Sequence, residues 1–239
     1  MISLNKITKK GKALYLAYDQ GFEHGPIDFN DKNVDPNYII DIAKKGKYTA
    51  IIFQKGIAEK YNIEIKKSKI PLIIKLNGKT SLHKEEPLSR QLCSVKEAIK
   101  LGAKAVGYTI YIGSIHETIM LKEFENIQRE AHSNNLPVIA WIYPRGKGIK
   151  GKSSGELLAY ACRIGLEIGA DIVKVHCSDT KDLKWAVSSA GKTKVVIAGG
   201  NKEDERTLLN TAKEIMQSGA IGLAIGRNIW QADKPLELT

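Results

Sequence analysis

Ala170-Asp-Ile-Val-Lys-Val-His176 is a short, apolar, β-branched run interrupted by a single lysine. Its near-continuous apolar character is that of a strand covered on both faces, as in a parallel sheet. Lys174, in its middle, is the unusual residue. A buried ammonium is costly to desolvate, so a lysine held there tends toward a lowered pKa and a neutral, nucleophilic amine. The plainer alternative is a strand-end lysine whose ammonium reaches solvent. The surrounding sequence decides between the two.

Seven further runs of the same kind recur along the 239 residues, at Ala13–Asp19, Thr49–Lys55, Pro71–Gly78, Ala105–Tyr111, Pro137–Tyr143, Lys194–Gly200 and Ile221–Gly226. Helix-like stretches separate most of them. Pro36 follows Asp35 at a first-turn position, with Ile39, Ile40, Ile42 and Ala43 as the apolar face. Ser114–Asn134 shows helical spacing of Ile115, Ile119, Phe124, Ile127 and Ala131. Ser154–Glu167 opens on a capping sequence, and Asp179–Ser189 and Lys202–Ser218 complete the set. Buried strands alternating with helices eight times predict an α/β fold, a single-domain (β/α)8 TIM barrel over residues 1–239. No GxGxxG follows the first strand, which disfavours a dinucleotide-binding sheet. Only Arg227–Thr239 follows the eighth strand, so the eighth helix is expected to be short or missing.

Function in such a barrel sits at the carboxyl ends of the strands, where alternate residues point inward. Parity then groups Ile172, Lys174 and His176 on one face, Ile139, Trp141 and Tyr143 on another, and Tyr15, Ala17 and Asp19 on a third. With Lys174 inward, a tyrosine and a carboxylate reach the same cavity as the amine. Ala198-Gly-Gly-Asn201 and Ala224-Ile-Gly-Arg-Asn228 end strands seven and eight, where glycines let backbone amides approach an anion closely. Gly226-Arg227 also opens a short helix whose N-terminus favours phosphate.

The formal charge of +11 reflects lysine, since only six of the 37 basic residues are arginine. Nucleic-acid surfaces favour Arg forks and interleaved aromatics, so solvated surface is the reading, with no nucleic-acid partner expected. Positive potential still attracts an anionic metabolite. Cys93, Cys162 and Cys177 are far apart, with no CxxC, and point to a reducing compartment. The five histidines offer no pair at zinc-ligand spacing, and no metal site is expected. No 18-residue apolar run and no signal-peptide h-region are present, so a cytoplasmic protein with no membrane association is expected.

Five ordered motifs carry a family resemblance: Leu16-Ala-Tyr-Asp-Gln-Gly-Phe-Glu-His-Gly-Pro26, Gly107-Tyr-Thr-Ile-Tyr111, Trp141-Ile-Tyr-Pro-Arg-Gly146, Ala170-Asp-Ile-Val-Lys174 and Gly226-Arg-Asn-Ile-Trp-Gln231. From about residue 11 to residue 231 the chain resembles the archaeal-type class I fructose-1,6-bisphosphate aldolases, within the Schiff-base aldolase superfamily of (β/α)8 barrels. The resemblance implies reversible cleavage of fructose 1,6-bisphosphate in glycolysis and gluconeogenesis, with no cofactor. It implies Lys174 as the Schiff-base lysine, Tyr143 as the proton-transfer residue and Asp19 as the active-site carboxylate. Ala198, Gly199, Gly200, Gly226 and Arg227 are implied at the substrate's 1-phosphate. Trp141 is implied as a wall of the pocket or as core filler, and Arg145, in the same motif, as a substrate-binding residue. Gln20 and His24 line the site, or His24 structures its loop. Two departures stand out. Ala198 occupies a position where the family commonly has serine, and the chain lacks the usual eighth helix and tail.

Two other readings stay open. A neighbouring enzyme of the superfamily uses the same lysine to transfer a ketose-derived fragment to an amino-acid semialdehyde in aromatic precursor synthesis, although its motif after strand one differs. A basic, non-catalytic barrel binding nucleic acid is the other. Superfamily members usually form rings, so a homo-oligomer is expected, with Trp185 and Trp230 as candidate interface residues.

Overall fold

The structure is a computed structural model that describes residues 2–200 and 202–239. Among these residues, eight parallel strands close into a barrel: β1 (Ala13–Ala17), β2 (Ala50–Gln54), β3 (Leu72–Lys75), β4 (Ala105–Ile112), β5 (Val138–Pro144), β6 (Ile172–His176), β7 (Lys194–Ala198) and β8 (Gly222–Ile225). Each pairs with its sequence neighbour, and β8 returns to β1 with Ala13 opposite Gly222. The (β/α)8 expectation holds.

The helices form where local chemistry starts them. In α1 (Pro36–Lys45) the Asp35 side chain accepts from the Asn37 amide and Pro36 occupies the first turn. Two short helices, α2 (Lys55–Lys60) and α3 (Asn62–Ser68), follow β2. The next, α4 (Val95–Lys100), has a reciprocal capping box between Ser94 and Glu97, which satisfies two amides that the first turn leaves orphaned. After α5 (Glu117–Ser133), Ser153 caps α6 (Ser154–Glu167). The last three are α7 (Leu183–Ser189), α8 (Glu205–Gln217) and α9 (Arg227–Trp230). Among the described residues, the helix that follows β8 is a single turn.

The third strand is shorter than its apolar run. Asn77 and Gly78 leave the barrel to pair antiparallel with Arg90 and Gln91. The Asn77 side chain takes over the strand's pairing: its Oδ1 accepts from the Thr109 amide at 2.8 Å, and its Nδ2 donates to the Thr109 and Ser89 carbonyls at 2.8 and 2.9 Å. A side-chain amide carries the same donor and acceptor as a peptide, so the ladder ends without an unsatisfied group.

Inward-facing residues fill the barrel centre, among them Ile7, Tyr15, Ile52, Ile73, Ile139, Trp141, Ile172 and Val196. A second, larger apolar layer packs the helices on the outside. Gly107 makes the centre possible. A Cβ built on it falls 1.1 Å from Trp141 Cζ3, so the indole occupies the space a side chain would need. Gly107→Ala is therefore expected to destabilise the barrel by about 3 kcal/mol or more, the upper end for overpacking a core. Denaturant midpoints of the wild type, Gly107→Ala and Gly107→Ala/Trp141→Phe test this, with the smaller ring recovering part of the loss. Equal midpoints for Gly107→Ala and wild type would contradict the packing argument.

Trp230 is not a surface residue. The single-turn α9 folds back onto the barrel, so its indole stacks against Tyr18 and Phe29 at centroid distances of 5.7 and 5.8 Å. Its Nε1 donates to the Ala17 carbonyl at 3.1 Å. Trp185, on α7, is 53 % exposed. No helix among the described residues is long and apolar enough to cross a membrane.

Candidate active site

A cavity of about 470 Å³ opens at the carboxyl end of the barrel. Lys174 stands at its floor, 7 % exposed. The register sets Trp141 of β5 beside Lys174 of β6, and the lysine Nζ lies 5.2 Å from the indole centroid. Nζ donates to the Tyr143 hydroxyl at 3.1 Å. Burial pulls the Lys174 pKa below the usual lysine value, against the opposing pull of Asp19 and Glu23. The arrangement favours the neutral amine that addition to a carbonyl requires.

Tyr143 is its complement. Burial, and then the Asp19 carboxylate, push its phenol pKa well above the normal range, so the hydroxyl keeps its proton at neutral pH. Asp19 is buried and forms an ion pair with Lys75 at 3.2 Å. Burial alone would raise its pKa, but the charges of Lys75 and Lys174 outweigh this and hold the carboxyl below its ordinary value. A carboxylate, an amine and a phenol thus sit at one cavity floor with their protonation states set apart.

On the neighbouring β7 and β8, between β6 and β1, Ala198, Gly199, Gly200, Gly226 and Arg227 line the cavity. The Gly199 amide is not free to meet an anion there, because it donates to the Ala224 carbonyl at 2.9 Å and extends the barrel ladder. Among the described residues, the amides of Gly200 and Gly226 make no such ladder bond. The Arg227 guanidinium lies 3.7 Å from Asp28 and 3.4 Å from the Gly200 carbonyl.

Gln20, His24 and Arg145 also line the cavity. The Gln20 Nε2 is buried with no hydrogen-bond partner among the described residues, an unspent donor beside the cavity. His24 Nδ1 is 2.8 Å from the Asp28 carboxylate, so this histidine both faces the cavity and ties its loop. Arg145 pairs with Glu23 at 2.7 Å and lies over the Tyr111 and Tyr143 rings at 5.2 and 5.7 Å. Trp141 does not join them as a wall. Its ring is fully buried beneath Lys174, because the gap at Gly107 draws it into the barrel centre.

Three ionisable residues lining the cavity were given no role by the sequence reading. Lys75 carries the same signal as Lys174, a lone lysine in the apolar run Leu72-Ile-Ile-Lys-Leu76. Glu23 lies inside the strongest motif, and its carboxylate accepts from both Arg145 and, at 3.3 Å, the Tyr111 hydroxyl. His176 shares the Lys174 face and lines the cavity beside Gly200. Among the described residues, no three His, Cys, Asp or Glu side chains come together in a way that could hold a metal ion.

A buried amine beside a protonated phenol, at the mouth of a parallel barrel, defines a Schiff-base type of site. The DeoC/LacD family aldolase model matches residues 13–232, and the chain belongs to that family. It is 46% identical over 232 residues to the class 1 fructose-bisphosphate aldolase of Thermoproteus tenax, covering 95% of this chain and 87% of that one. A solved archaeal fructose-1,6-bisphosphate aldolase, with its catalytic lysine covalently bound to the carbinolamine intermediate of the substrate, superimposes with a TM-score of 0.92. Identity to it is 44%, and 98% of this chain and 94% of that one are covered. The 2-amino-3,7-dideoxy-D-threo-hept-6-ulosonate synthase of Halobacterium salinarum is more distant, 30% identical over 236 residues, with 99% of this chain and 87% of that one covered.

Proposed function

We propose that this chain is a class I, Schiff-base fructose-1,6-bisphosphate aldolase, cleaving its substrate reversibly to dihydroxyacetone phosphate and glyceraldehyde 3-phosphate. One observation carries the reading: a buried Lys174 amine with lowered pKa, 3.1 Å from the Tyr143 hydroxyl on the cavity floor. The family and the higher identity to fructose-bisphosphate aldolases support it over fragment transfer to a semialdehyde, which rests on the more distant relative.

In this reading neutral Lys174 adds to the C2 carbonyl, and loss of water leaves a protonated imine. That cation takes up the electron pair of the C3–C4 bond as the C4 hydroxyl gives up its proton, releasing glyceraldehyde 3-phosphate. Protonation of the resulting enamine at C3 and hydrolysis return dihydroxyacetone phosphate and the free amine. Tyr143 exchanges the proton with substrate, and Asp19, held ionised by Lys75, orients hydroxyls and assists carbinolamine formation. The imine is the electron sink, so the chemistry requires neither metal nor cofactor. The experiment is borohydride reduction with dihydroxyacetone phosphate, followed by peptide mapping, alongside assays of bisphosphate cleavage and semialdehyde condensation. An adduct on Lys174 with cleavage activity supports the reading. An adduct with condensation alone transfers the chain to the rival reaction, and salt-sensitive RNA binding without an adduct would favour a non-catalytic barrel.

The 1-phosphate is assigned to the β7 and β8 loops, held by the Gly200 and Gly226 amides and Arg227, with no hydroxyl from Ala198. Gln20, His24 and Arg145 contact the rest of the sugar phosphate. Arg227→Ala is expected to raise the Michaelis constant for phosphorylated ketoses by about 10–100-fold, the scale of a hydrogen bond to a charged group. Unphosphorylated ketoses are barely affected. Equal losses for both would mean that Arg227 only supports the Asp28 loop. The reading also includes a cytoplasmic, homo-oligomeric enzyme. All three cysteines are unpaired, as a reducing compartment requires, and the exposed Trp185 is the candidate subunit contact.

A further inference from the structure

Asn228, the second residue of α9, is buried and does not line the cavity. Its side chain nevertheless governs the loop that does. Nδ2 donates to the Gly199 carbonyl at 2.7 Å, and Oδ1 accepts from the Glu203 amide at 2.7 Å. Among the described residues, this one amide side chain therefore holds the loop after β7 at residues 199 and 203.

The first of these bonds sets a direction. The Gly199–Gly200 peptide is trans, so its carbonyl and the following N–H point to opposite sides of one rigid plane. Anchoring the Gly199 oxygen on Asn228 turns the Gly200 N–H away from the Asn228 side chain. Gly199 itself is pinned from the other side by its own amide, which is spent on Ala224. The peptide before the plane is thus held by Ala224, and the plane itself, at its carbonyl end, by Asn228. Beyond it the chain turns with a φ of +66° at Gly200, a conformation that glycine adopts without cost. Gly200 lines the cavity, and its N–H has no backbone partner among the described residues.

We propose that Asn228 is a positioning residue for substrate phosphate: it aims the Gly200 N–H at the anion without touching the anion itself. A peptide donor fixed before binding requires no reorganisation when the charge arrives. The same peptide, released from Asn228, rotates about the flexible glycine pair and loses its aim. The inference rests on the assignment of phosphate to the β7 and β8 loops, and its test separates the two.

The first measurement uses the unaltered protein. Inorganic phosphate is titrated into isotope-labelled enzyme while backbone amide shifts are followed. The Gly200, Gly226 and Arg227 amides are expected to move and the Gly199 amide to stay. Movement of none of them would remove the phosphate assignment itself. Movement of Gly226 and Arg227 with Gly200 unmoved would leave that assignment standing and overturn the role of Asn228. The second measurement uses Asn228→Ala, or the volume-keeping Asn228→Leu if alanine does not fold. The half-saturating concentration for borohydride trapping should rise about tenfold with dihydroxyacetone phosphate and stay unchanged with dihydroxyacetone. A parallel rise with both ketones would make Asn228 a general structural residue and overturn the proposal. If neither variant folds, the Gly200 and Gly199 amides of the native protein decide the matter.

Discussion

Lys174→Ala is expected to leave a folded barrel with no borohydride-trappable adduct and with cleavage reduced on the order of 10⁶-fold, the scale of removing a covalent nucleophile. The fold should survive because, among the described residues, the lysine side chain's hydrogen bond is to Tyr143, and it sits above the apolar centre without being part of it. Removing an amine that is costly to bury takes away a desolvation penalty as well as a contact. Lys174→Arg should fail as completely, since a guanidinium stays protonated and cannot add to a carbonyl. The pH dependence follows from the same burial. Only the neutral amine attacks, so the rate of adduct formation should fall as pH drops through the lysine's pKa. That fall should lie below the range of an exposed lysine, because burial has lowered the value. Turnover and adduct mass against pH check all three statements. Normal turnover in Lys174→Ala would sink the central assignment.

Tyr143→Phe should behave differently: turnover reduced by about 10²–10⁴-fold, the range for a lost acid–base group, with the adduct still formed. The phenol stays protonated because burial and Asp19 both oppose its ionisation. It accepts a hydrogen bond from Lys174, which leaves its own proton free for a substrate oxygen or carbon. Phenylalanine keeps the ring, including its stacking under Arg145, and removes only that proton. Solvent-hydrogen exchange at C3 of dihydroxyacetone phosphate isolates the step, since it needs the imine and one proton transfer but no C–C cleavage. Slow exchange with intact trapping places Tyr143 at the proton transfer. Loss of trapping would move its role to imine formation.

The sequence carried the barrel because parity alone sorts inside from outside. Once Ile172 and Lys174 share a face, neighbouring strands bring Trp141 and Tyr143 to it, and this is the register observed. The site was less readable wherever contacts cross strands distant in sequence. Lys75 meets Asp19 because β1 and β3 flank β2 and both side chains turn into the cavity at the strands' carboxyl ends, over the residue of β2 between them. Arg145 meets Glu23 through two loops 122 positions apart. The Gly199 amide read as a phosphate donor because a glycine pair signals open backbone, whereas one more ladder bond beyond β7 consumed it. Trp230 read as an interface tryptophan because a four-residue helix leaves no periodic pattern from which to infer its buried side.

The seam between β1 and β8 has a further consequence, for the order of events during folding. Residues 13–16 pair with residues 222–225, so the ring is completed by contacts separated by nearly the whole chain. Such contacts are entropically late, because a long loop must be closed before they return any energy. The same seam carries Asp19 on one side and Gly226 and Arg227, proposed above to hold the anion, on the other. A nascent chain that lacks residues 222–230 holds Lys174, Tyr143 and their strands, yet has no assembled pocket in which to expose a reactive amine to cellular carbonyl compounds. Late closure is therefore expected to keep the Lys174 amine outside an assembled pocket until β8 is in place, and pulse-labelling of ribosome-bound chains with a ketone and borohydride would read this as an adduct that appears only once residues 222–230 have emerged.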